Sequence, residues 1–126
     1  MANIEIPIYR IFADGRELAL FNAPVGASAC VAILEDLIAF GMKKLVLFGT
    51  CGILDEEIKE TSVIIPTEAL RDEGTSYHYQ PANREQEVNL GLKDFLTDFL
   101  DARGISHSKG KVWTTDGIYR ETPAKL

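Results

Sequence analysis

Leu45-Val46-Leu47-Phe48-Gly49-Thr50-Cys51-Gly52-Ile53-Leu54 is the stretch that decides how the chain is read. Four apolar residues run without alternation, which suits a strand buried on both faces of a parallel sheet. The run ends in Gly49-Thr50-Cys51-Gly52, small, hydroxyl-bearing and able to turn tightly. In open α/β sheets ligands bind beyond the carboxyl ends of such strands, so this turn is the first place to look for a site.

Working outward, the preceding residues supply a crossover. Asn22–Ala27 is a loop, Ser28 is placed to cap a helix, and Val31, Leu34, Leu37 and Ile38 fall on one face at helical spacing. Gly41 supplies the stop. Earlier still, Ile4–Ala13 and Glu17–Phe21 read as strands joined by Asp14-Gly15, the residue pair of a tight hairpin turn. Strand, helix, strand in this order predicts that the second hairpin strand and the Leu45 strand run parallel.

Downstream, Asp55–Glu60 reads as a solvated connection, and Ser62–Pro66 as a short strand ended by proline. Glu68–Tyr79 mixes three acids, one Arg, one His and two Tyr without periodicity, the signature of a long functional loop. Arg71 is either the local ion partner of Asp72 and Glu73 or a fork for phosphate or carboxylate, a role open to Arg120 as well. Asn83 with Gln86 starts a second helix whose stripe is Val88, Leu92, Phe95, Leu96 and Phe99, stopped at Arg103-Gly104. Val112–Asp116 ends a further strand, with Trp113 in the core, and Gly117–Thr122 leaves it as a loop. Three polar segments, Gly49–Gly52, Glu68–Tyr79 and Thr114–Thr122, thus follow strands and can converge on one crevice.

The totals bound the partners. With 126 residues and 46% hydrophobic content the chain reads as one α/β domain, able to bury roughly two-thirds of its unfolded surface. A formal net charge of −6 argues against a nucleic-acid binder, which needs a basic face. No apolar run approaches the ~20 residues of a membrane span. Cys30 and Cys51 form no metal-ligand spacing, so no metal is expected, and a reduced cytoplasmic protein is the simplest reading. Cys51 has the position of a nucleophile, yet no sequence neighbour would lower its pKa.

Taken together, GTCGIL, VIIPTEALRDEGTSYHYQP and GKVWTTDGIYRETPAK resemble the nucleoside phosphorylase family on its uridine phosphorylase branch. Gly49, Thr50, Cys51 and Gly52 resemble the family's phosphate and ribose loop. The segment with Arg71, Thr75 and His78 resembles a uridine phosphorylase loop. Thr115, Asp116, Ile118 and Tyr119 resemble the segment that walls base and ribose, and Pro24–Glu35 the glycine-containing lead into the first helix. The resemblance implies a three-layer fold, a mixed central sheet flanked by helices. It also implies phosphorolysis of a nucleoside to free base and ribose 1-phosphate, with inorganic phosphate as co-substrate and no other cofactor, in a homo-oligomer. Thr50 would bond phosphate and ribose oxygens, Ile118 pack on the base, and Tyr119 line the sugar; no residue is assigned the proton transfer.

Departures qualify the expectation. Leu47 stands where the family commonly has a phosphate-binding arginine, and Ile118 where phenylalanine is usual. The similarity stops at Leu126, short of the family's Glu-Met-Glu ribose motif and a later acidic residue. The expectation is therefore a domain incomplete on its C-terminal side, with little or no phosphorolysis by the 126 residues alone. A hydrolytic nucleosidase, suggested by Leu47, and a non-catalytic assembly module with an unpaired sheet edge are the competing readings.

Overall fold

The computed structural model describes residues 5–58, 63–87 and 90–125. Contacts gather into two units, one up to Lys43 and one from Lys44 onward. The fold class is α/β, with a mixed sheet and helices.

The first unit holds the expected hairpin. β1 (Ile8–Ala13) and β2 (Arg16–Phe21) pair antiparallel from Ile8 opposite Phe21 to Ala13 opposite Arg16. Asp14 (φ 49°) and Gly15 (φ 72°) are both left-handed, the type I′ requirement that the Asp-Gly pair signals. Ile4, the expected first strand residue, lies outside the described residues. Helix α1 (Ala27–Ala39) begins one residue before the expected cap. Gly26, at φ 103°, is its N-cap, so Ser28 sits inside the first turn and makes no cap bond. The positive φ there suits glycine and leaves no place for a capping side chain. Val31, Leu34 and Leu37 lie on the half-buried face as expected, whereas Ile38 is exposed.

In the second unit β3 (Val63–Asp72), β4 (Glu85–Glu87) and β5 (His107–Thr115) form a sheet of order β4-β3-β5. β5 runs parallel to β3 and β4 antiparallel to it. Helix α2 (Leu90–Asp101) provides the crossover between β4 and β5. Ile65 and Leu70, both on β3, are the buried hydrophobic residues among those described.

Four expectations change here. Leu45–Phe48 is not a strand: among the described residues no ladder partner pairs with it, and Val46, Leu47 and Phe48 are exposed. An apolar run becomes a strand only through its neighbours' hydrogen bonds, so the predicted crossover from β2 is not formed. β3 does not stop at Pro66 but continues to Asp72, because the register shifts between Pro66 and Glu68. A bulge tolerates the missing N–H. The Glu68–Tyr79 segment is therefore strand as far as Asp72, with a single 3₁₀ turn at Thr75–His78. The residues from Asn83 do not open a helix, since Glu85–Glu87 pairs with Glu68–Leu70 and tertiary pairing overrides the capping pattern.

The stripe of α2 is displaced as well. Leu92, Phe95 and Phe99 are exposed, while Lys93, Leu96, Thr97 and Leu100 form the half-buried face. Phe99 stacks on itself a local cover: the Phe95 ring at 6.4 Å and the Arg103 guanidinium at 3.6 Å. Val88 of the expected stripe and Ser62 of the expected strand lie outside the described residues. Among the described residues no helix is long and apolar enough to cross a membrane.

Both helices end in the same way. Gly41 N–H donates to the Ile38 carbonyl and Met42 N–H to that of Leu37; Gly104 N–H and Ile105 N–H repeat the pattern on Asp101 and Leu100. This is the Schellman closure, with Gly41 at φ 101° and Gly104 at φ 64°. A side chain at either would meet nothing within 4 Å, so only the dihedral opposes it. Gly104→Ala is expected to lower stability by about 1 kcal/mol in urea unfolding. Gly49→Ala, equally open and without a positive φ, should leave the midpoint unchanged or slightly raised.

Candidate functional site

Parallel pairing brings the carboxyl ends of β3 and β5 side by side, with Asp72 opposite Thr115. The chain leaves β3 into Glu73–Gln80 and leaves β5 into Asp116–Lys125, so two of the three predicted polar segments converge at one end of the sheet. The Asp72 side chain lies on the strand face opposite to that of Arg71, as alternation requires. Each residue consequently anchors a different network.

Arg71 is 5% exposed and faces inward. Its Nε donates to Ser76 Oγ at 2.7 Å, and Nη1 to the carbonyls of Pro81 (2.7 Å) and Asn83 (3.0 Å). Nη2 reaches the Gln80 carbonyl at 3.4 Å, and the guanidinium lies 4.0 Å over the Tyr77 ring. Tyr77 OH in turn donates to the Arg71 carbonyl at 3.2 Å. Glu73, also buried, accepts from Ser76 N–H at 2.9 Å and from the Ser76 hydroxyl. Burial pushes the Glu73 carboxyl up, but the Ser76 hydroxyl, the N–H groups of Ser76 and Thr75, and the Arg71 charge outweigh it and hold it below the usual range.

Of the two readings of Arg71, the local pairing with Glu73 is met through the Ser76 hydroxyl, while the donors a phosphate fork would use are committed to backbone carbonyls. The serine hydroxyl stands between Arg71 and Glu73, and the fork is spent on the backbone it folds around itself. A buried cation with its donors committed is a structural clamp.

On the other face, Asp72 Oδ2 accepts from Thr115 Oγ1 at 2.9 Å and from Lys125 Nζ at 2.7 Å. Lys125 and then Thr115 hold its carboxyl below the usual range, with a smaller contribution from the Trp113 indole N–H. The Asp72 carbonyl accepts from Asp116 N–H (3.2 Å), and Asp116 Oδ2 accepts from Gly74 N–H (3.0 Å). Gly117 N–H donates to Thr115 Oγ1 at 3.1 Å, and Arg84 Nη2 to the Lys125 carbonyl at 2.8 Å. The two loops are tied to each other by both aspartates.

Of the predicted site residues, the structure brings together Thr115, Asp116, Arg71 and Thr75. Ile118 and Tyr119 occupy a 3₁₀ turn (Ile118–Arg120) and project outward, Tyr119 being 95% exposed. His78 is exposed at the end of its own turn. Gly49, Thr50, Cys51 and Gly52 are exposed, and no hydrogen bond among the described residues ties them to the β3–β5 end. Trp113 is half-buried, not core. Asp72, Ser76 and Lys125 carry much of the geometry and were not singled out by sequence. Strand alternation through Leu70-Arg71-Asp72 is the signal that would have separated the faces. Among the described residues no group of His, Cys, Asp or Glu is placed to hold a metal ion.

The phosphorylase superfamily profile matches residues 3–126, and the chain belongs to that superfamily. A guanosine phosphorylase of Halorubrum lacusprofundi is 24% identical over 95% of the chain and 50% of its own length. A uridine phosphorylase of Haemophilus influenzae is 24% identical over 86% of the chain and 43% of its own length. A purine nucleoside phosphorylase, DeoD-type, of Xenorhabdus nematophila is 24% identical over 86% and 47%. The chain thus spans about half the length of these relatives.

Two outcomes follow from the networks. Arg71→Ala should lose about 3 kcal/mol in chemical unfolding, since the Ser76 hydroxyl and several carbonyls are left without their donor and buried Glu73 without its neighbouring positive charge, and Arg71→Lys should not restore it. Acid should also destabilise the fold. Asp72 and Glu73 have folded-state values lowered from 3.8 and 4.5. Their stabilisation is complete above those ordinary values and is lost as pH falls through the lowered ones. Unfolding followed by circular dichroism from pH 6 downward should show this loss, reduced in Asp72→Asn.

Proposed function

We propose that the chain serves nucleoside phosphorolysis, with phosphate attacking the anomeric carbon of a nucleoside. A phosphate oxygen forms the new bond to C1′, the glycosidic bond breaks, and its electron pair and a proton end on the departing base. The products are free base and ribose 1-phosphate. The observation that carries this reading is the convergence of the β3 and β5 loops at one end of the parallel pair, in a chain of the phosphorylase superfamily. Relatives named guanosine, uridine and purine nucleoside phosphorylase support the substrate class.

The physics fits the residues present. The transition state has oxocarbenium character, so an anion beneath the sugar stabilises it, and charge building on the base favours a hydrogen-bonded or protonated leaving group. In this reading Gly49–Gly52, with Thr50, holds phosphate and ribose oxygens. Thr115 and Asp116 meet the ribose or base, Ile118 packs on the base and Tyr119 lines the sugar. Arg120, exposed in the turn after β5, is better placed to offer a free fork than the committed Arg71. A homo-oligomer would let a neighbouring subunit cover the exposed Ile118 and Tyr119.

Leu47 favours one alternative, hydrolysis by water without phosphate. The two are separated by incubating the purified protein with uridine or guanosine, with and without phosphate, and quantifying base and sugar products. Base release is expected only with phosphate, one ribose 1-phosphate per base, at a rate at least ~10²-fold below that of the Haemophilus influenzae uridine phosphorylase, because only part of the barrier reduction is supplied. Phosphate-independent release with free ribose would overturn phosphorolysis in favour of the nucleosidase. A rate matching the relative's would overturn the view that these residues supply only part of the site. No release together with no nucleoside binding would leave the assembly-module reading in its place.

A further inference from the structure

At the carboxyl end of β3–β5 the hydrogen-bond polarity is set by one residue. A threonine hydroxyl has one proton and two lone pairs. The Thr115 proton is directed to Asp72 Oδ2, and one lone pair receives Gly117 N–H. What remains is a single acceptor position. Asp116 is in the same condition, with Oδ2 held by Gly74 N–H and an acceptor-only carboxylate otherwise. Lys125, the ammonium of this corner, is spent on Asp72, and the positions left open on Thr115 and Asp116 are acceptors. Acceptor atoms take O–H or N–H donors, and they offer an oxyanion no hydrogen bond.

We infer that Asp72 is a positioning residue at the junction of the β3 and β5 loops: it fixes the Thr115 hydroxyl as an acceptor, so that this corner takes a donor group of the nucleoside, a sugar hydroxyl or base N–H, and not a phosphate oxygen. The inference rests on the nucleoside reading above and adds to it the residue that orients Thr115 toward ribose or base. Asp72 itself lies behind Thr115, bonded to its hydroxyl and to Lys125, and acts through that hydroxyl.

The test uses Trp113, the single tryptophan of the chain, which sits two residues before Thr115 on the same strand face. Its emission is followed while uridine, guanosine or inorganic phosphate is titrated into the protein, and thermal unfolding is recorded for each variant. Thr115→Val and Asp72→Ala are each expected to weaken nucleoside binding about tenfold, the scale of one hydrogen bond. The double variant should lose no more than either single one, since both remove the same oriented hydroxyl. Asp72→Asn, which keeps an acceptor oxygen for Thr115, should bind within about threefold of the parent. Phosphate binding should be unchanged throughout.

Full-strength nucleoside binding by Asp72→Ala, independent losses multiplying to about a hundredfold, or a parallel loss of phosphate binding would each overturn the inference alone. Nucleoside binding absent from the parent protein would remove the nucleoside reading and this inference with it. Thr115→Val, which alters only one hydroxyl, carries the test should Asp72→Ala unfold.

Discussion

A guanidinium taken out of water must find partners for its N–H groups, and that demand on Arg71 shapes the end of the sheet. The residues that answer it are backbone carbonyls at 80, 81 and 83 and the Ser76 hydroxyl. Meeting them requires the chain to turn back after β3 through the 3₁₀ turn at Thr75–His78 and return as β4 beside the same strand. One buried side chain therefore dictates the path of about a dozen residues. Because the fork is consumed in this way, the positive charge contributes to architecture and not to anion capture.

The opposite face of the same strand carries a second polar network. Parallel pairing sets Asp72 beside Thr115, and the two aspartates then bind each other's loops. Farther down, Lys111 of β5 lies between Glu68 at 3.0 Å and Glu85 at 2.8 Å, which joins all three strands across one face and raises the lysine's own proton affinity. Polar groups thus specify strand order and register in a unit whose buried hydrophobic residues, among those described, are Ile65 and Leu70.

Local chemistry made part of this legible in advance. The Asp14-Gly15 hairpin, the glycine stops at Gly41 and Gly104, the half-buried face of α1 and the meeting of the β3 and β5 loops follow from dihedral preference, periodicity and chain order. What failed depended on neighbours. Leu45–Phe48 has the composition of a buried strand but no ladder to join, and Asn83–Gln86 has the pattern of a capping box but is claimed by β3. Pro66 marks a bulge where a proline ordinarily marks an end. The roles of Asp72, Ser76 and Lys125 depend on contacts spanning up to 53 residues, which no local pattern encodes.

The bulge at Pro66 has a consequence for alignment. Upstream of it Pro66 stands opposite Gly110, and downstream Glu68 stands opposite Lys111, so Thr67 is the residue the ladder skips. Were it not skipped, β5 would slide by one position, and Asp72 would face Asp116 instead of Thr115, carboxylate against carboxylate. Glu68 would likewise face Val112 and lose its lysine. A single unpaired threonine beside a proline thus works as a vernier: it sets the phase between two strands so that acid meets hydroxyl at the far end.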